Sequence, residues 1–201
     1  MNTIQEVQAA LGLTPDGDAG PKTWAAIHAK VCLPSSPVVV APGSPPLADP
    51  RSEKCIVTLL PEVQPFARAL ILKAVEAGIT VKILSGTRTY VEQDALYAKG
   101  RTAPGSVVTK ARGGYSNHNF GIAFDIGVFE GTSYLTDSPK YAQVGAIAES
   151  LGLEWGGRWK SMPDMPHYQL RPHWAKGAAE SAMLNELRSR ATTRAAVFTE
   201  D

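Results

Sequence analysis

Ser116-Asn117-His118-Asn119-Phe120-Gly121-Ile122-Ala123-Phe124-Asp125 is the stretch on which the reading of this chain turns. From Gly121 onward a period of two sends Ile122, Phe124 and Ile126 to one face and Ala123 and Asp125 to the other, which predicts a strand with a carboxylate turned away from its apolar neighbours. An ionised carboxylate among Ile and Phe is costly unless it is paired or metal-bound. Arg88 or Arg158 would serve for an ion pair. His118, in the polar segment just upstream, offers an imidazole instead.

A second segment, Asp164-Met165-Pro166-His167, adds another imidazole and another carboxylate. Pro166 biases Met165 toward extended backbone, so Asp164 and His167 are not a helical pair, and His167-Tyr168-Gln169-Leu170 reads as a short strand. Two imidazoles and one carboxylate can hold Zn²⁺ in three of its four tetrahedral positions and leave the fourth for water. Asp164 then becomes a candidate base, set against the plain alternative of an aspartate that forms a turn after Pro163. His173, between Pro172 and Trp174, is the rival third ligand. Arg88 is either a cation for charge growing on a scissile carbonyl or a salt-bridge partner. Trp155 and Trp159 either line a substrate groove or fill the core.

Around these segments the chain reads as alternating helices and strands. Val63, Phe66, Ala67, Leu70, Ile71, Ala74 and Val75 recur at helical spacing, with Pro61 in the first turn and Gly78 at the end. Ile79 to Ile83 alternates as a strand broken by Ser85-Gly86, which places Arg88 just past a strand end. Tyr90 to Lys99 is helical and stops at Gly100, and residues 102–115 form a loop. Tyr141, Val144, Ile147, Ala148 and Leu151 mark a helix closed by Gly152. A last helix covers 175–190, and residues 191–201 form a frayed tail.

Residues 34–50 hold six prolines, whose fixed φ and missing N–H make a semi-stiff linker. Before it, Ile4, Val7, Gln8 and Leu11 give one helix, stopped at Gly12. A turn at Asp16-Gly17 leads to a second helix opened by Pro21 and carrying Trp24, Ile27 and a surface His28. So small a hairpin rarely builds a core of its own. The expected organisation is a helical module over 1–33, a linker over 34–52, a catalytic domain over 53–190 and a tail over 191–201.

With 201 residues and 44% hydrophobic content, the chain can bury one substantial core with something small beside it. The balance of 20 Lys+Arg against 19 Asp+Glu gives no long-range field of one sign, which argues against nucleic acid or an anionic membrane as partner. Cys32 and Cys55 flank the Pro-rich stretch and could bridge it, but two thiols do not make a disulfide framework, and free or packing thiols are the leading expectation. Nothing approaches the run of about eighteen apolar residues of a transmembrane helix. The N-terminus lacks both the basic start and the apolar core of a secretory signal, so synthesis in the cytoplasm without an export signal is expected.

Several ordered motifs are then familiar. Ser85-Gly86-Thr87-Arg88-Thr89, Glu92-Gln93, Leu96-Tyr97, Gly100-Arg101, the Ser116-to-Asp125 stretch and Asp164-Met165-Pro166-His167 together resemble the D-Ala-D-Ala carboxypeptidase/L-alanyl-D-glutamate endopeptidase (VanY-like) family of zinc peptidases, over roughly residues 57–175. The resemblance implies a small α+β fold of the hedgehog/D-Ala-D-Ala peptidase type, with an antiparallel sheet and flanking helices. It implies one zinc held by His118, Asp125 and His167, with Asp164 as catalytic base and Arg88 near the scissile carbonyl. Gln93, Ser116 and Trp155 are the expected substrate contacts. An Asp as base, where carboxypeptidase-type members have Glu, looks more like the phage endopeptidase branch.

Val7 to Leu13, Asp16-Gly17, Gly20-Pro21, Thr23-Trp24 and Ile27 look like a peptidoglycan-binding module, shorter than usual and without a third helix before the linker. Module, linker and peptidase together resemble a monomeric phage endolysin that cuts the L-Ala-D-Glu bond of the stem peptide and reaches the wall after holin-dependent release. D-Ala-D-Ala cleavage is the runner-up within the enzyme class. A non-catalytic wall binder with a structural metal is the reading from another class.

Overall fold

Strand pairing puts β2, Ala123–Glu130, at the centre of the sheet, with β1, Thr80–Ser85, antiparallel along one edge. Its other edge is shared by β3, Ser133–Leu135, and β5, His167–Gln169, and a two-residue β4, Glu154–Trp155, completes the order β1-β2-β5-β4. This computed structural model describes residues 3–20, 22–24, 26–27 and 48–199. The chain divides into two compact units, Met1–Ala41 and Pro42–Asp201. The stretch expected as a linker, up to Leu47, together with His28 and Cys32, lies outside the described residues, whereas Cys55 is a half-buried free thiol.

In the first unit α1 spans Thr3–Ala10, and residues 22–24 and 26–27 are again helical. The organising side chain is polar. Gln8 is buried, its amide nitrogen within hydrogen-bond range of Asp16 Oδ1, Asp18 O and Thr23 Oγ1, while its Oε1 accepts from Gly17 N. Trp24 stays 61% exposed.

The second unit is a mixed α+β domain, as the sequence implies. Helix α2 runs Pro50–Ile56, α3 Gln64–Glu76, α4 Tyr90–Ala98, α5 Lys140–Ser150 and α6 Glu180–Thr193. The main core joins Ile56, Leu70, Ile83, Phe124, Ile126, Val128, Tyr141, Val144 and Tyr168 under α3 and α5. Each such side chain contributes about 1.5–3 kcal/mol by leaving water. Ile122 precedes the strand and joins a separate cluster with Phe120, Met183 and Leu187, beneath α6. Alternation along β2 thus buries Phe124, Ile126 and Val128 together and leaves Asp125 free to face elsewhere.

Several expectations need correction. Pro65, not Pro61, opens α3, because the chain turns through residues 61–63 before the helix starts. Val75 is 57% exposed although the periodicity counts it as core. Residues 50–52, assigned to the linker, begin α2: Asp49 caps it by accepting from Arg51 N and Ser52 N, and Pro50 needs no N–H in the first turn. The last helix starts only at Glu180 and continues to Thr193. Beyond it the chain returns to the domain instead of fraying. Val197 O accepts from Trp174 Nε1, Ala196 O and Thr199 O accept from Arg190, and Phe198 packs on both apolar clusters. No helix among the described residues is long and apolar enough to cross a membrane.

Candidate metal centre

Asp125 faces His167 across the β2–β5 pair, where the two residues are in register. A single turn of 3₁₀ helix, Asn117–Phe120, carries His118 to the same point. Gly121 closes that turn at φ +70°, a backbone conformation that costs glycine little, and lets the chain enter β2 at once. His118 Nε2, Asp125 Oδ1 and His167 Nδ1 form a nearly equilateral triangle with sides of 3.2, 3.3 and 3.4 Å. Tetrahedral zinc with bonds of about 2.0–2.1 Å has donor–donor edges of about 3.3–3.4 Å, so the spacing suits one ion.

The proton positions agree with that spacing. His118 Nδ1 lies 2.8 Å from Gly86 O, which can only accept, so Nδ1 carries the proton and Nε2 presents a lone pair. Gly86 is a glycine because a Cβ there would overlap Cys55 O and Thr58 Oγ1. His167 Nε2 faces Gln169 Oε1 at 2.9 Å, which leaves Nδ1 as the free donor. Three potential ligand atoms therefore converge, a group that could hold a metal ion.

Burial by itself would raise the Asp125 carboxyl, but His118 and His167 overcome it and hold the group well below the usual carboxylate range. Burial pushes the His118 imidazole below its ordinary value. At His167 burial acts in the same direction, yet the bonds to Asp125 and Gln169 outweigh it and raise the group. The second oxygen of Asp125 takes Arg88 Nη2 at 3.2 Å, and Arg88 Nη1 donates to Gln93 Oε1 at 2.9 Å. Arg88 is paired with Asp125 and also lines the groove in front of the triangle.

That groove has a volume of about 1140 Å³ and is bordered by Ser116, Tyr115, Trp159 and Asp164. The Trp159 ring lies against His167, 4.8 Å between centroids. Asp164 is held by its backbone, since its N–H donates to Gly156 O and its own carbonyl accepts from His167 N. Its exposed carboxylate has no hydrogen-bond partner among the described residues. Lost hydration raises that carboxyl, and the charge of Asp125 adds to the effect while His167 opposes it. Asp164 is thus a turn residue by backbone and an available carboxylate by side chain.

Two expected substrate contacts lie elsewhere. Gln93 is fully buried and serves Arg88 on one side and Thr109 and Ala111 on the other. Trp155 is in the core, where Gly145 and Gly157 make room for the ring and Nε1 donates to Met165 O. It anchors the turn before His167 instead of touching the groove. His173 is exposed on a 3₁₀ turn and is not part of the donor triangle. Asn119 carries no signal of its role in the sequence: its Nδ2 donates to Arg88 O and its Oδ1 accepts from Gly114 N, joining the loop to the strand end.

A donor triangle that could hold one ion, opening on a groove, has the form of the site in metal-dependent hydrolases. Residues 109–170 match the family described as D-alanyl-D-alanine carboxypeptidase. The peptidoglycan L-alanyl-D-glutamate endopeptidase CwlK of Bacillus subtilis (strain 168) is 40% identical over 125 residues, which cover 57% of this chain and 75% of that protein. The chain belongs to this family of metallopeptidases. Among solved structures, the L-Ala D-Glu endopeptidase ChiX of Serratia marcescens matches with TM-score 0.48 and 22% identity, covering 60% of this chain and 86% of that one. The vancomycin-resistance D,D-pentapeptidase VanY in complex with Zn(II) matches with TM-score 0.45 and 18% identity, over 66% of this chain and 83% of that one.

Proposed function

We propose that this chain is a zinc peptidase that cuts the L-Ala-D-Glu bond of the peptidoglycan stem peptide. The observation that carries the proposal is the donor triangle at zinc spacing, open to a groove on which an unpaired carboxylate stands. The bond is chosen on the relative that shares 40% identity.

His118, Asp125 and His167 would hold the ion, which supplies Lewis-acid polarisation of a carbonyl and lowers the pKa of water it binds. The Asp164 carboxylate takes the proton from the attacking water and passes it to the leaving amine. Arg88, locked by Gln93 and Asp125, offers a fixed positive charge to the oxygen on which charge grows. Ser116 and Trp159 border the groove in which the peptide is positioned.

Mass spectrometry of digested wall fragments tests the choice of bond. The expected products end in L-Ala on one side and begin with D-Glu on the other. Release of terminal D-Ala would overturn the endopeptidase reading in favour of D-Ala-D-Ala cleavage, the activity by which the matched family is described. The proposal extends to host lysis by a phage enzyme released from the cytoplasm through a holin, with the N-terminal unit as wall anchor. A joined module raises the local concentration of enzyme at the wall. Co-sedimentation of the full chain with purified wall, with and without Trp24→Ala, checks the anchor.

A further inference from the structure

His167 uses Nδ1 toward the triangle, so everything depends on Nε2 keeping its proton. The acceptor there, Gln169 Oε1, belongs to an amide that could equally turn its nitrogen inward. What prevents this lies further out. Arg171 can only donate: its Nε reaches Glu154 Oε1 at 2.5 Å and its Nη2 reaches Glu180 Oε2 at 2.7 Å. The ionised glutamates can only accept. The other oxygen of Glu154 takes Gln169 Nε2 at 2.7 Å, and the other oxygen of Glu180 takes Asn117 Nδ2 at 2.5 Å. Gln169 Oε1 is left to accept, from Asn117 Nδ2 at 2.5 Å and from His167 Nε2.

The links close into a ring through Arg171, Glu154, Gln169, Asn117 and Glu180, joining β4, β5, the first turn of α6 and the residue before His118. Gln169 is fully buried and Asn117 nearly so, which keeps water from substituting for a missing link.

We infer that this ring is a polarity lock, in which Arg171 and Glu154 are positioning residues that hold His167 as the Nε2–H tautomer and so aim its Nδ1 lone pair at the metal. The inference rests on the reading of the triangle as a metal centre, but its first signature needs no metal. Outer partners of ligating histidines govern metal affinity in general. Here the governing charge is two residues removed from the ligand and contributed partly by the C-terminal helix.

Long-range ¹H–¹⁵N NMR of the metal-free protein, at a pH well above the imidazole range, reads the tautomer directly. Wild type is expected to show His167 as Nε2–H alone. Glu154→Gln keeps the shape but, with Arg171 still donating to its oxygen, turns an NH₂ toward Gln169. It is expected to move His167 toward Nδ1–H and to weaken zinc binding, measured by chelator competition, by about 10-fold or more. Arg171→Met should act in the same direction. An Nδ1–H tautomer in wild type would overturn the lock, as would a folded Glu154→Gln variant with unchanged tautomer and unchanged zinc affinity. Should wild type show Nε2–H yet fail to bind zinc, the metal reading falls while the lock retains its own signature.

Discussion

The donor triangle and the loop at its rim, residues 156–166, are held by different means. His118, Asp125 and His167 stand on a sheet register and a closed 3₁₀ turn, and each imidazole has its second nitrogen bonded to a buried acceptor. Asp164 and Trp159 stand on a loop fastened by backbone bonds to Gly156 O and by Trp155 Nε1 on Met165 O, with their side chains left toward the groove. The triangle must keep three atoms within a few tenths of an ångström of one geometry. The proton transfer proposed for Asp164 needs a carboxylate that can meet both the attacking water and the leaving amine, and a rim position allows that.

If that division of labour is right, removing a donor and removing the rim carboxylate must fail differently. His118→Ala should cost zinc affinity by more than about 100-fold, beyond the range of outer-partner changes. Titration calorimetry checks this, and His173→Ala should leave affinity unchanged. Asp164→Asn should bind zinc as wild type does while kcat on wall fragments drops by about 10²–10⁴. Loss of metal in that variant would erase the distinction between the two sides.

The triangle side should also be the side that tolerates no added volume. Gly86→Ala places a methyl group against Cys55 O and Thr58 Oγ1, and chemical denaturation should show a loss of about 1–3 kcal/mol together with weaker metal binding. A gentler probe is Tyr141, whose hydroxyl accepts from Val128 N and donates to Leu135 O, behind β2. Burial, with Tyr134 nearby, raises its pKa from 10 to about 12. The neutral phenol is favoured in the fold, so its stabilising share is complete below pH 10 and drains away as pH rises through about 12. Denaturation curves across that window should fall for wild type and flatten for Tyr141→Phe.

Much of the centre was legible because its residues violate their surroundings. Asp125 interrupts an apolar strand, and His118 and His167 lie in short polar segments that no core pattern demands. Periodicity likewise marked β1, β2, α4 and α5 to within a few residues. Gln93 and Trp155 were misassigned because a polar or aromatic residue near a motif looks the same whether it touches substrate or supports the residue that does. Only packing distinguishes them. Helix α2 was hidden by a proline that reads as a breaker in a Pro-rich run, although after Asp49 it is a helix start. The ring around Gln169 had no local signal at all, since Asn117 and Glu180 are 63 residues apart.

One measurement bears on all of this: anomalous scattering at the zinc edge from crystals grown with the metal. A single strong peak is expected about 2.0–2.2 Å from His118 Nε2, Asp125 Oδ1 and His167 Nδ1, with the open side facing Asp164. A peak ligated through His118 Nδ1 or His173, or no peak within reach of these three atoms, would contradict it.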